Sequence, residues 1–203
     1  MRIARAKRWP RCRGEDRRDQ ISNLLGIHMR PPAVADRQFP GHWEGDLIKG
    51  AGNLSAVNTL VKGTTRLLLL VKPPHPNPAS AAHVLQAFTY KLNAIAQPMH
   101  QSLTYDRGTA MAHHQQLSAN TGITVYLCDP HSPWQRGANE NTNDLIRQFL
   151  PKGTDLSGYR QEQLDTIADL MNGRPGKTLD WFTPHKVYSA WLSKIEDSTQ
   201  TSP

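Results

Sequence analysis

The order in which hydrophobic periodicity changes along the chain constrains its fold more than any other feature. Three β-friendly runs come first and in close succession, at 43–48, 56–61 and 65–72. The link at 62–64 is short enough for a hairpin turn, so the three predict an antiparallel meander. A proline-rich stretch at 73–78 then breaks the pattern. From 79 to 96 the spacing becomes helical, with Ala82, Leu85, Phe88, Leu92 and Ile95 near one face. A short buried strand is expected at 102–105, a helix at 110–119 and a fifth strand at 123–127. Helices follow at 139–149, 161–171 and 184–195. The first of these stops before Pro151-Lys152-Gly153, and the last is entered through Thr183 as N-cap with Pro184 in its first turn. This order predicts an α/β fold: a mixed five-stranded sheet with helices on both faces.

At 203 residues the chain suits one domain with modest extensions. It reads as a basic, largely extended arm at 1–40, a core at 41–195 and a flexible polar tail at 196–203. Residues 1–37 hold ten Lys or Arg against four acids, and the whole chain carries a formal charge of +7 with a sequence pI near 9.6. Such a surface attracts polyphosphate. Cys12 and Cys128 stand too far apart in sequence for a metal knuckle or a disulfide framework, which fits a reducing cytoplasm. The longest apolar run, Leu67-Leu68-Leu69-Leu70-Val71, is strand-sized, so no membrane partner is expected. No apolar segment follows the basic N-terminus in the manner of a secretory signal.

Three acids stand out against this frame. Asp46 lies inside the first apolar strand, where a carboxylate needs pairing, hydrogen bonds or a metal. Asp106 directly follows a short strand, and Gly108 lets the backbone turn at once. Acids at strand carboxyl ends lie where α/β sheets bind ligands. Glu140 stands on a helix entered through the loop Asp129-Pro130-His131-Ser132-Pro133-Trp134-Gln135-Arg136-Gly137, with thirty-three residues between it and Asp106. Taken alone, Asp46 reads more readily as a structural hydrogen-bonder or strand-end residue, and Asp106 as a cap of the next helix, than as a catalytic group. Glu44 shares parity with Asp46 along the strand and is a second-choice ligand. His42, His113, His114 and His131 fit no compact zinc spacing.

Long ordered stretches carry a resemblance. Residues 41–50, 103–108, 128–143, 150–156 (Leu-Pro-Lys-Gly-Thr-Asp-Leu) and Arg174-Pro175 with Lys177-Thr178-Leu179 closely resemble the insertion-sequence-thirty family of bacterial transposases, integrase-like enzymes with an Asp-Asp-Glu triad. The resemblance runs from about Arg13 to about Trp191. It implies a ribonuclease-H-like fold, with the triad on Asp46, Asp106 and Glu140 both as catalytic residues and as metal ligands. It further implies two Mg²⁺ ions, for which Mn²⁺ can substitute, with Asp46 bridging both. Hard carboxylate oxygens suit such ions, and two of them activate the attacking oxygen and stabilise the leaving one. The implied activity is cleavage and strand transfer of DNA, with element ends and target DNA as partners. A homo-oligomer on DNA and a bacterial cytoplasmic, nucleoid-associated location go with it. Arg107, Arg136 and Lys152 are candidates to meet phosphates; the last two read equally well as surface charges. Asn141 and Asn143 are candidates to bond DNA or orient Glu140. Trp134 is read either as a base-stacking residue or as a packing anchor.

The chain departs from the family pattern at Lys62-Gly63, Ala110, Gly176 and Asp180, the last where glycine is usual. It also lacks the helix-turn-helix region that usually precedes the core, and so reads as N-terminally truncated. Two alternatives stand beside the transposase reading: a regulatory or inactive DNA-binding remnant, and a stand-alone metal-dependent nuclease.

Overall fold

A computed structural model describes residues 21–35, 39–74 and 78–200. Five strands form one sheet in the order β3-β2-β1-β4-β5. They are β1 (His42–Lys49), β2 (Ala56–Lys62), β3 (Leu68–Val71), β4 (Ser102–Tyr105) and β5 (Thr124–Leu127). The pairs β1–β2 and β2–β3 are antiparallel, whereas β1–β4 and β4–β5 are parallel. The expected meander is therefore present, with a parallel half added on the other side of β1. The strand expected at 65–72 begins only at Leu68: the turn is longer than three residues, and Arg66 turns through positive φ within it.

Helices cover both faces. Six are present among the described residues: α1 (Pro32–Ala35), α2 (Ala81–Asn93), α3 (His114–Thr121), α4 (Gly137–Ile146), α5 (Gln161–Asn172) and α6 (Pro184–Gln200). Ser80 starts α2 by accepting the His83 N–H at 3.3 Å. On one face Val84, Phe88, Leu92 and Leu117 pack on Trp43, Leu60, Leu103 and Val125; on the other, Ala138, Ile146, Leu164 and Ala168 pack on Ile48, Val57, Val61 and Leu70. The alternation of strand side chains sorts these two sets. The helix expected at 110–119 splits into a 3-10 turn at Thr109–Met111 and α3. The last helix runs to Gln200, beyond the expected 195, so the polar tail is helical over its first residues.

Two side chains of α5 protect the outer edge of β3. Asn172 bonds both Leu68 N–H and C=O at 2.8 Å, and Gln161 accepts from Lys72 N–H at 2.9 Å and donates to Leu70 C=O at 2.8 Å. An edge strand left bare would invite pairing with another chain.

Part of the expected extended arm is packed. Ile21, Ile27 and Val34 are buried, Gly26 bridges to Leu127, and the Arg30 guanidinium donates to Thr104 Oγ1 at 3.1 Å. These apolar residues show no helical or strand period because the segment is an irregular strap that meets the β5 edge at Leu25 and Gly26. Residues 1–20, and with them Cys12 and most of the arm's arginines, lie outside the described residues. Where glycine was expected at 180, Asp180 occupies the left-handed region at φ 50°.

Candidate active site

Asp46 lies on β1, which is central, with β2 on one side and β4 on the other. Its neighbour must be glycine: a Cβ on Gly45 would stand 2.7 Å from the Tyr105 ring. Asp46 Oδ2 accepts from Asn143 Nδ2 at 2.8 Å, and Oδ1 stands 3.2 Å from Arg136 Nη1. Asp106 follows β4 and curls over Gly108, whose position leaves only 3.0 Å between a hypothetical Cβ and Asp106 Oδ1. Glu140 sits in the first turn of α4, with Oε1 3.5 Å from Arg136 Nη2.

Arg136 is the hub. Only 6% exposed, it donates to Gly45 C=O at 2.9 Å and faces both Asp46 and Glu140. Its charge also acts on Asp106 and on the Cys128 thiol. Asp46 and Glu140 thus flank one guanidinium, whose charge also reaches Asp106. Burial pushes the Asp106 carboxyl above its usual value, and the charge of Asp46 adds to this while Arg136 opposes it. Glu140 is raised by burial first and by Asp46 next, again against Arg136. Burial also lifts the Cys128 thiol to about 11, which keeps it protonated and a poor nucleophile.

The helix carrying Glu140 is bolted to the strand carrying Asp46. Glu44 Oε2 accepts the Asn139 backbone N–H at 2.9 Å, Asn139 Nδ2 donates to Glu44 C=O at 2.8 Å, and Thr59 Oγ1 donates to Asn139 Oδ1 at 3.1 Å. A carboxylate at the first turn satisfies an amide that the helix leaves open and opposes its dipole favourably. Glu44, considered for a ligand, is a clamp. The parity argument correctly put it on the face of Asp46, but no sequence signal joined it to Asn139, ninety-five residues away.

The remaining candidates disperse. Arg107 lines a cavity of about 250 Å³ together with Asp106, Cys128, His131 and Arg136. Asn143 reaches the triad, whereas Asn141 faces a separate depression beside Arg66 and Arg174. Lys152 is exposed in the turn after α4. Trp134 is 73% exposed and so anchors no packing; it leaves a flat ring beside the site. Arg136, a candidate for phosphate contact, is turned inward instead.

As to a metal, the donor chemistry fits: three carboxylates offer hard oxygens, and their mutual repulsion is what a divalent cation relieves. Among the described residues, however, no three acidic, His or Cys side chains are grouped closely enough to hold an ion, and Arg136 stands between the acids. No helix among the described residues is long and apolar enough to cross a membrane.

Comparison with known proteins places the chain among integrase-like proteins. An integrase core domain model matches residues 36–133, a span that contains Asp46 and Asp106 and ends before Glu140. The chain is 59% identical over 197 residues to the transposase for insertion sequence element IS1086 of Cupriavidus metallidurans, covering 97% of this chain and 57% of that protein. It is 43% identical over 175 residues to transposase InsI of IS30A from Escherichia coli, covering 86% of this chain and 45% of that one. The chain thus spans about half the length of these relatives. Among solved structures, the catalytic core domain of BIV integrase superposes with a TM-score of 0.54 at 17% identity, over 78% of this chain and 97% of that one. At that identity the likeness speaks for the fold, which is the ribonuclease-H-like arrangement of integrase cores. The chain is thus similar over most of its own length to transposases of the insertion-sequence-thirty kind, and its residues 36–133 match an integrase core domain.

Proposed function

We propose that this core performs metal-dependent phosphodiester transfer on DNA, cutting strands and joining them during transposition. The observation that supports the reading is that Asp46 and Glu140 flank one buried guanidinium, with Asp106 within reach of its charge, in an integrase-type sheet. Asp46, Asp106 and Glu140 would hold the metal, Mg²⁺ or Mn²⁺. Bound there, such ions supply a Lewis acid for the attacking and leaving oxygens of an in-line displacement. Asn143 orients Asp46 through its 2.8 Å bond. Glu44 and Asn139 fix the angle of α4, and with it Glu140. The exposed Trp134 ring offers a base a stacking surface, and Arg107 and Lys152 offer cations to the backbone. The partners are element-end and target DNA, engaged by more than one copy of the chain, within the bacterial cytoplasm at the nucleoid.

The test is strand cleavage and transfer on DNA carrying the element ends, with Mg²⁺ or Mn²⁺ and an EDTA control, using this core fused to a site-specific DNA-binding domain. Metal-dependent nicking and joined products are expected. A correctly folded fusion that binds DNA and yields neither would overturn the reading.

A further inference from the structure

We propose that Arg136 is an internal counter-ion that holds the acid triad in its metal-free arrangement and gives up the carboxylates when metal binds. The proposal rests on the reading of Asp46, Asp106 and Glu140 as metal ligands. Four observations carry it. The guanidinium is buried yet lies between two of the acids, Nη1 on Asp46 and Nη2 on Glu140. Its 3.2 and 3.5 Å separations exceed the 2.7–2.9 Å of strong charge-assisted hydrogen bonds, so it neutralises without binding tightly. Its Nε is buried with no hydrogen-bond partner, which leaves the side chain short of the full set that a purely structural buried arginine makes. Finally, the acids in this geometry are not grouped to share an ion.

The physical consequence is a competition. Acids brought together without a cation repel one another. Arg136 offsets this cost in the free protein, so the site keeps its shape between turnovers. The same positive charge opposes a divalent cation on the same oxygens. Arg136 is therefore a positioning residue acting through the acids, and it sets how much metal the site needs. The bond from Nη1 to Gly45 C=O gives the side chain a place to stay once the acids are taken from it.

The experiment is Mn²⁺ binding by titration calorimetry and Mn²⁺-dependent thermal melting of the DNA-free protein, comparing wild type with Arg136→Gln and Arg136→Lys. Arg136→Gln is expected to melt lower than wild type in EDTA, to bind Mn²⁺ about tenfold tighter or more, and to show a larger melting shift with metal. Arg136→Lys keeps the charge and should bind Mn²⁺ within a few-fold of wild type. Folded Arg136→Gln that binds Mn²⁺ as wild type does, or more weakly, would overturn the proposal. A measurement on wild type alone guards against a variant that fails to fold. Arginine side-chain NMR should show one slowly exchanging guanidinium in EDTA that shifts as Mg²⁺ is added. A guanidinium signal unmoved at Mg²⁺ concentrations that saturate the calorimetric isotherm would equally overturn it. If neither wild type nor Arg136→Gln binds Mn²⁺ at all, the metal-ligand reading fails first and the counter-ion role falls with it.

Discussion

The side chain of Glu44 on β1 accepts the backbone N–H of Asn139 at 2.9 Å, while the side chain of Asn139 donates to the backbone of Glu44 at 2.8 Å. This reciprocal pair crosses from the central strand to the helix of Glu140, so stability and site geometry share one joint. Asn139→Ala should cost about 2–3 kcal/mol in urea unfolding, because it removes two buried bonds and leaves Thr59 Oγ1 one acceptor short. Glu44→Gln keeps an acceptor oxygen and should cost about 1 kcal/mol. Equal losses for the two would contradict the clamp.

For the triad itself, Asp46→Asn, Asp106→Asn and Glu140→Gln should each lower metal-dependent cleavage and joining by about 10²-fold or more. Each preserves shape and removes a charge that would hold metal. Single-turnover assays on element-end DNA would measure this, with circular dichroism to verify folding. A variant with turnover comparable to wild type would remove that acid from the assignment.

Stability should separate the acids. With the Asp106 carboxyl raised by burial, the native state keeps its proton to higher pH than the unfolded chain does. Ionisation of Asp106 therefore weakens the fold as pH rises from the ordinary carboxylate range through the raised value. In EDTA, Asp106→Asn should gain on wild type across that window. Asp46→Asn should instead lose stability, since it strips a partner from buried Arg136. Urea midpoints from about pH 4 to 7 check both directions; an Asp46→Asn protein more stable than wild type would show that repulsion outweighs the guanidinium contact.

Lys62 makes a different pH signal. It is fully buried, with Nζ 3.1 Å from Met99 Sδ and 5.5 and 4.8 Å from the centres of the Trp43 and Tyr188 rings. The rings favour the cation, yet burial wins and lowers the amine from 10.5 to about 7. Between those values the unfolded chain binds more protons than the native one, so this residue makes stability rise with pH across about 7 to 10.5. Lys62→Met should flatten that rise and stabilise the protein at pH 6 by about 1–3 kcal/mol, because a buried charge becomes a thioether of similar length. An unchanged slope in thermal melts across this range would mean that Lys62 keeps its charge.

Residues 1–20 hold eight Lys or Arg against three acids. Deleting them should lower non-specific DNA affinity and flatten its dependence on salt. Extending the deletion to residue 35 removes buried Ile21, Ile27 and Val34 and the bridge from Gly26 to β5, and should lower the melting temperature as well. If the shorter deletion leaves the salt slope unaltered, DNA is held elsewhere.

Local pattern was sufficient for much of this protein. Strand alternation placed Trp43 and Ile48 on opposite faces, helical spacing located α2 and α5, and Ser80 and Thr183 sit where a helix start needs a cap. These are interactions between residues a few positions apart, and periodicity records them. The three acids stood out in the sequence because motifs around them are long and ordered. What escaped were contacts across the fold. Residues 21–35 look unstructured in sequence because their order comes from the β5 edge they meet. Arg136 reads as a surface cation until β1 and α4 meet around it and Gly45 C=O turns it inward. Glu44 reads as a spare acid until Asn139 arrives from the far side of the chain. Burial, and the electrostatics that follow from it, depend on which distant groups exclude water from a side chain, and only the packed sheet and helices decide that.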